Sequence, residues 1–185
     1  MYRWPMRLAT EAAWAGHPYG QSVLGTEASL EAIDTDALRR WHEQRALEAP
    51  GVLVVVANMK PDVVAGLVAR YFGALRAVER PFGAPPEWPA RVTERAEERD
   101  KAQSALAMLF PGPSRRDDAR YTAAVIAALT SGLGGRLFDE LRDRQSLAYT
   151  VHASPIVRES AGAFAAYIAM SPEKEDAARC GLLAE

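Results

Sequence analysis

The spacing of apolar residues along this chain predicts helices and strands in alternation. Apolar positions return every three or four residues in several stretches that begin with capping residues or proline and end near glycine. A helix capped by Asp34 or Thr35, for example, carries Leu38, Trp41 and Leu47 on one stripe. The pattern predicts helices at residues 1–16, 27–33, 35–49, 61–73, 119–130, 136–142 and 172–185.

Short apolar runs between these helices predict strands. Residues 52–57 form an unbroken run rich in valine, which is typical of a strand buried on both faces. Further strands are predicted at residues 104–110, 147–153 and 163–169. Between the two groups of elements, residues 78–100 hold four prolines and a run of charged residues, which is the composition of a linker.

Composition narrows the class of protein. The chain has 185 residues, of which 49% are hydrophobic and 25% charged, so one large domain or two small ones would have a real core. The formal net charge is −2 and the basic residues are scattered, so we expect no nucleic-acid partner. No apolar run is long enough for a membrane span.

The N-terminus lacks the apolar core of a signal peptide, which leaves cytoplasm or periplasm open. Both ends read as cut, and we expect a piece of a larger protein.

Metal chemistry finds no support in the residue spacing. The three histidines, His17, His42 and His152, lie far apart, and none has a partner at the spacing of a known site. His42-Glu43 begins like the His-Glu-x-x-His zinc helix, but Ala46 stands where the second histidine is required. A histidine on an exposed helix face is usually a surface residue, so we expect this chain to bind no metal.

Nucleophilic catalysis and phosphate binding are also disfavoured. The sequence holds no Gly-x-Ser-x-Gly motif, and Cys180, the single cysteine, excludes an intrachain disulfide and lies in a predicted helix without a nearby histidine. The glycines at 132, 134 and 135 follow a helix rather than a strand, and a helix break explains them better than a phosphate loop does.

Arg142 and Tyr149 are the candidate functional residues. Arg142 ends a predicted helix, Tyr149 lies early in the next strand, and six residues separate them. Guanidinium and phenol groups can both donate hydrogen bonds to a peptide carbonyl without supplying a nucleophile. The alternative is structural: Arg142 as a last-turn cation favoured by the helix dipole, and Tyr149 as a half-buried strand residue. Spacing alone leaves both interpretations open.

The order of the motifs resembles the pitrilysin/insulinase family of inverted-motif zinc metallopeptidases, in the segment called the inactive or C-terminal domain. The matching stretches are His17-Pro-Tyr-Gly, Thr35-Asp-Ala-Leu, Val52-Leu-Val-Val-Val, Tyr71-Phe-Gly, Gly134-Gly-Arg-Leu-Phe-Asp-Glu-Leu-Arg, Leu147-Ala-Tyr and Ser171-Pro-Glu-Lys. The resemblance implies an α+β fold in which helices pack on one face of antiparallel sheets. It implies that residues 1–80 are the tail of a first, zinc-bearing half, 81–102 a linker, and 103–185 the start of a second, metal-free half.

The resemblance also implies a function. Arg142 and Tyr149 match the positions at which the second half binds substrate, while zinc would be bound by a complementary catalytic half or subunit outside this chain. We therefore expect a peptide-binding segment of a zinc metalloendopeptidase or of its partner subunit, inactive alone because it lacks His-x-x-Glu-His. The alternative is a non-catalytic core subunit that only assembles with partners. Isolated, the segment is expected to form homo-oligomers through exposed apolar faces.

The chain departs from the family pattern at several positions. Ser146 stands where the family often has glycine before Leu-Ala-Tyr, and Ala57-Asn58 replaces a common Gly-Asp. The helix at 119–130, the counterpart of the zinc helix, offers no metal ligand and is expected to be core.

Overall fold

The computed structural model describes residues 3–79 and 83–185, which form two compact units. The first unit joins residues 3–23 to 84–185, and the second spans residues 24–83 apart from the undescribed 80–82. The predicted boundary between residues 80 and 81 lies outside the described residues. The assignment of the three segments to two halves of a peptidase stays a prediction.

A three-stranded antiparallel sheet organises the first unit. Its strands are β1 (Ser104–Gly112), β2 (Thr150–Val157) and β3 (Gly162–Met170), in the order β1-β3-β2. Ala166 of β3 lies opposite Met108 of β1 and Ala153 of β2, which fixes the register. With the helices described below, this sheet confirms the predicted α+β class. Strand β2 begins three residues later than the sequence pattern predicts, because residues 147–149 belong to the irregular segment that leads into it.

One face of this sheet carries the larger buried cluster of the first unit. Ile168 and Met170 of β3 are fully buried there, together with Leu141 from the segment that precedes β2. Helix α6 (Glu175–Ala184) follows β3 and contributes Leu182 to the same cluster. This cluster connects the sheet, the segment before β2 and the last helix.

The opposite face of the sheet has a smaller cluster. Ala163 of β3 packs there against Trp14, which follows helix α1 (Arg3–Ala13). Every residue of β3 except Phe164 is buried, and four of them are alanines. Their small side chains let the layers on both faces approach the central strand closely.

The free edge of β2 is closed by the end of a helix. Helix α5 (Ala119–Thr130) is confirmed as a helix and ends beside β2. The expectation that it is core is wrong, because Ala123 is its one buried residue and Val125 and Leu129 are exposed. The Ser131 hydroxyl accepts a hydrogen bond from the Ala153 amide (2.7 Å) and donates one to the Ala153 carbonyl (2.9 Å). One side chain therefore satisfies two backbone groups that an edge strand would otherwise expose.

Residues 84–103 contain no described helix or strand, and their side chains fasten them to the rest of the first unit. The Trp88 ring meets the Trp14 ring edge-on at 6.0 Å, and Glu97 accepts a hydrogen bond from the Trp4 indole at 2.9 Å. Glu94 forms an ion pair with Arg179 of α6 at 2.7 Å. The proline-rich segment thus follows a defined course along α1 and α6.

The second unit consists of helices α2 (Glu27–Glu31), α3 (Thr35–His42) and α4 (Pro61–Phe72), with a π turn at Glu43–Leu47. Asp34 caps α3 as predicted, its carboxylate accepting from the Ala37 amide at 2.6 Å. Proline opens α4, where its missing amide hydrogen costs no helical bond. Among the described residues, no helix has both the length and the apolar character needed to cross a bilayer.

The strand predicted at residues 52–57 is wrong. These residues form no ladder with any described strand, and the side chains of Val52, Val54 and Val56 are 93%, 77% and 96% exposed. A β-branched run becomes a strand only when another segment supplies hydrogen-bond partners, and the described residues place none beside it. The side chains of Val55 and Ala57 instead line a cleft of about 580 Å³ with residues of α4.

Candidate functional site

Arg142 and Tyr149 lie on the two sides of a joint between a π-helical segment and β2. The π-helical segment spans Phe138–Arg144. Two backbone hydrogen bonds close its end: the Gln145 amide donates to the Glu140 carbonyl at 3.0 Å, and the Leu147 amide donates to the Leu141 carbonyl at 2.8 Å. The Tyr149 amide then donates to the Ala169 carbonyl of β3 at 2.8 Å. Wide helical turns of this kind occur frequently at functional sites.

Ser146 is the turning point of the joint. Its φ of 53° is the only positive value at a non-glycine residue in the described part of the chain. This left-handed conformation favours glycine, because a Cβ atom crowds the following carbonyl oxygen. The glycine that the resembled family often has at this position is therefore explained by backbone geometry, and this chain keeps the geometry with serine.

The joint is seated directly on the core. Leu141 is fully buried, and Leu147 packs against the same cluster. Helix α6 approaches closely through Gly181, where a Cβ atom would lie 2.8 Å from Cδ2 of Leu141 and 3.5 Å from Cδ1 of Leu147. Because residue 181 has no side chain, helix α6 can pack closely against Leu141 and Leu147.

The Arg142 guanidinium is exposed and makes one described contact. It lies over the Phe138 ring, 4.6 Å from the ring centroid, which orients the side chain by a cation–π interaction. Arg144, two residues further, pairs with Asp139 (3.0 Å) and Glu140 (3.2 Å). No described carboxylate lies within salt-bridge distance of Arg142. Its charge remains available to an external group.

Glu140 is held in its ionised form by its own neighbours. A hydrogen bond from the Gln145 amide, with added attraction from Arg144, lowers the pKa of Glu140 below its usual value. This acid of the π-helical segment is thus committed to Gln145 and Arg144 and does not neutralise Arg142.

The Tyr149 side chain is also in solvent. It is 54% exposed, directly precedes β2, and its hydroxyl has no hydrogen-bond partner among residues 3–79 and 83–185. The structure therefore leaves both candidate donors open rather than sealed in the core. Their role towards a substrate stays a prediction.

Lys174 belongs to this site and was not identified from the sequence. It ends a 3-10 turn at Pro172–Lys174, and its ammonium donates to the Ser146 carbonyl at 2.8 Å. In the sequence, Ser171-Pro-Glu-Lys indicates the start of a helix and forms part of the resemblance. No local pattern connects residue 174 to residue 146, since the sheet brings them together.

The described residues do not fit a zinc ion. No group of three or more histidine, cysteine, aspartate or glutamate side chains gathers in a metal-holding arrangement within 3–79 and 83–185. The two ring nitrogens of His17 are engaged by the Tyr19 amide and the Ala84 carbonyl, both at 3.1 Å. His42 is an exposed residue of α3.

Solved structures define the class of fold. The chain superposes on a peptidase M16 inactive domain from Pseudomonas fluorescens with a TM-score of 0.78 and 20% identity, over 97% of this chain and 45% of that one. A protease from Helicobacter pylori gives a TM-score of 0.77 and 16% identity, over 95% of this chain and 44% of the other. Both likenesses concern the fold alone.

Sequence comparison then gives the family. Residues 32–182 match the model of the peptidase M16 inactive domain, and the chain belongs to that family. An uncharacterized zinc protease of Mycobacterium leprae is 30% identical over 170 residues, which cover 87% of this chain and 37% of the relative. An uncharacterized zinc protease of Bacillus subtilis is 26% identical over 162 residues, covering 86% and 39%. The chain thus spans less than two fifths of the length of these relatives.

Proposed function

We propose that this chain is the metal-free, substrate-binding segment of a pitrilysin-like zinc metalloendopeptidase, or of the non-catalytic partner subunit of one. The observation that carries the proposal is the pair of exposed donors at the joint. The Arg142 guanidinium and the Tyr149 hydroxyl flank one turn, and no described acidic or carbonyl group occupies either of them.

An extended peptide is the ligand that this pair suits. A peptide backbone presents carbonyl oxygens, which accept from both a phenol and a guanidinium. The charged donor makes the stronger bond, and the neutral one adds direction. Neither group attacks a carbonyl carbon at neutral pH, so their contribution is to hold and orient the substrate. Zinc would be bound by residues outside this chain, in the catalytic half or subunit.

The second unit supports a role alongside such a counterpart. None of its described residues is buried, and its exposed apolar side chains include Trp41 of α3 and Leu67 and Phe72 of α4. A surface of this kind is typical of an interaction site. We propose that the remainder of the zinc-bearing half, or a partner subunit, covers it in the complete peptidase.

Replacement of the two donors tests the proposal. In the complete peptidase that contains this chain, Tyr149→Phe and Arg142→Lys are each expected to reduce kcat/KM for peptide cleavage by about 1–3 kcal/mol of transition-state stabilisation, with little change in thermal stability. Steady-state cleavage of a fluorogenic peptide measures the first quantity, and calorimetry the second.

Two matched substitutions serve as controls. Tyr121→Phe removes a second exposed hydroxyl, one that accepts a hydrogen bond from Arg120, and Arg144→Lys alters the neighbouring arginine. Both are expected to leave kcat/KM near that of the unsubstituted enzyme. If the Tyr149→Phe variant cleaves peptide as fast as the unsubstituted enzyme, the substrate-binding role is contradicted.

The second candidate function is a structural core subunit that assembles without contacting substrate. The absence of a metal cluster among the described residues and the uncovered apolar surface favour it equally. The two functions predict different results for the assembled complex. A scaffold tolerates the loss of both donors without any change in peptide cleavage, whereas a substrate-binding segment does not.

A further inference from the structure

The peptide group between Ser146 and Leu147 is held at both of its polar atoms. Its amide hydrogen, on Leu147, is accepted by the Leu141 carbonyl at 2.8 Å, and its carbonyl oxygen, on Ser146, accepts from the Lys174 ammonium at 2.8 Å. Two contacts on opposite sides of one planar group fix its orientation. That orientation sets the direction in which the chain runs from the π-helical segment towards Tyr149.

The two contacts have different origins. The Leu141 carbonyl belongs to the same local turn, so that bond forms whenever the helix ends in this way. Lys174 comes from the turn that follows β3 and approaches the end of the helical segment, where a cation is favoured by the unpaired carbonyls. Of the two contacts, only the Lys174 bond therefore ties the joint to a distant part of the chain.

The left-handed conformation of Ser146 explains why this bond matters. With φ at 53°, serine occupies a region that costs free energy and from which it relaxes readily towards negative φ. Such relaxation would rotate the 146–147 peptide and change the course of the backbone between Arg142 and Tyr149. An ammonium group on the Ser146 carbonyl opposes that rotation.

We propose that Lys174 is a positioning residue for the peptide-binding pair: its ammonium holds the Ser146 carbonyl and thereby fixes the relative placement of Arg142 and Tyr149. This inference rests on the proposed function, because the geometry matters for cleavage only if the pair binds substrate. In this proposal Lys174 contacts the Ser146 carbonyl and not the bound peptide substrate.

The test combines a loss and a rescue in the complete peptidase. Lys174→Met keeps an unbranched apolar stem and removes the ammonium, and is expected to lower kcat/KM for peptide cleavage by about three- to tenfold. Lys174→Arg keeps a cationic donor and is expected to retain most of the activity. Adding Ser146→Gly to Lys174→Met is expected to restore kcat/KM to within about twofold, because glycine adopts positive φ without strain.

The rescue separates positioning from simple stabilisation. A lysine that merely stabilised the fold would give a loss that follows the melting temperature, and a stabilising substitution elsewhere in the chain would then repair it as well as Ser146→Gly does. The NMR chemical shift of the Tyr149 backbone amide supplies a second readout. Lys174→Met should change this chemical shift, and adding Ser146→Gly should bring it back to the value of the unsubstituted protein. Lys101→Met, at an exposed lysine of the same unit, is the control and should change neither quantity.

Failure of this inference is distinct from failure of the proposed function. If Tyr149→Phe slows cleavage but Lys174→Met does not, or if Ser146→Gly fails to rescue it, the positioning role is overturned and the function stands. If Tyr149→Phe has no effect on cleavage, the function is overturned and the positioning role falls with it. Should Lys174→Met fold poorly, Lys174→Gln with and without Ser146→Gly gives the same comparison.

Discussion

At the scale of single residues, burial changes the chemistry of one titratable side chain in the sheet. His152 lies on β2 opposite Tyr167 of β3, with the ring centroids 5.1 Å apart. Burial in the sheet lowers the pKa of His152 from its usual value of 6.5, because the charged imidazolium loses hydration there. The folded protein therefore prefers the neutral ring.

This preference predicts a pH dependence of stability. Because the unfolded chain binds the His152 proton more readily than the folded one, the stabilisation is fully present above pH 6.5 and is lost as the pH falls from there through the lower, folded-state pKa. His152→Gln should flatten the decrease in unfolding free energy below pH 6.5. Denaturant titrations at a series of pH values measure it.

An exposed histidine provides the control for this experiment. His42→Gln, on the surface of α3, should leave the pH dependence as it is in the unsubstituted protein. Identical pH curves for the His152→Gln variant and the unsubstituted protein would show that His152 titrates alike in the folded and unfolded states.

At the scale of elements, the first unit depends on how each strand and helix ends. The Tyr19 hydroxyl lies 3.1 Å from the Ser160 hydroxyl, in the turn between β2 and β3, so the His17-Pro-Tyr-Gly turn is anchored to that hairpin. The hydrogen bond from Ser160 lowers the pKa of Tyr19. The turn that marked the resemblance thus has a structural explanation within this unit.

The contribution of the Ser131 hydroxyl at the edge of β2 can be tested by substitution. Ser131→Ala removes the hydroxyl that serves both the amide and the carbonyl of Ala153, and leaves these partly buried groups without that partner. We expect a loss of about 1–3 kcal/mol in unfolding free energy. Thermal or denaturant unfolding of the two proteins measures the difference.

The neighbouring threonine is the matched control for Ser131. The Thr130 hydroxyl donates to the Ile126 carbonyl of its own helix at 2.9 Å and serves no strand group. Thr130→Ala should therefore cost much less than Ser131→Ala. Equal losses would show that the contact with Ala153 has no special value for the sheet.

At the scale of the whole molecule, the two units differ in how they are stabilised. The first unit has buried clusters on both faces of its sheet, whereas no described residue of the second is buried. The apolar residues 52–56 are exposed in the second unit. Burial of each such side chain would add roughly 1.5–3 kcal/mol to the free energy of unfolding. The second unit therefore gains stability from any partner that covers it.

This difference predicts self-association of the chain in isolation. We expect sedimentation velocity to detect concentration-dependent oligomers, and an apolar fluorescent dye to bind. Replacing Val52, Val54 and Val56 together by threonine keeps the β-branched shape and removes apolar surface, so it should reduce both signals. Val92→Thr, at an exposed valine of the first unit, is the control. A chain that stays monomeric and binds no dye would contradict the prediction.

Local signals in the sequence were sufficient for most of the elements. Asp34 and Pro61 mark the starts of α3 and α4, and the apolar period predicts α5 and β3 to within a residue or two. Each of these signals acts within one or two turns of chain, where propensity and capping are decided. The order of motifs likewise identifies the family, and the spacing of Arg142 and Tyr149 across a helix-to-strand joint makes them candidates, whereas their exposure follows from the tertiary structure.

Only the tertiary structure decided which segments find partners. Residues 52–57 have the composition of a buried strand, yet pairing requires a second segment that local composition cannot supply. The hydrogen bond from Lys174 to the Ser146 carbonyl joins residues 28 positions apart. The hydrogen bonds between Ser131 and Ala153 join residues 22 positions apart. The sheet brings both pairs together. The sequence by itself determined most of the elements and the family, while the geometry of the candidate site arose from contacts between distant residues.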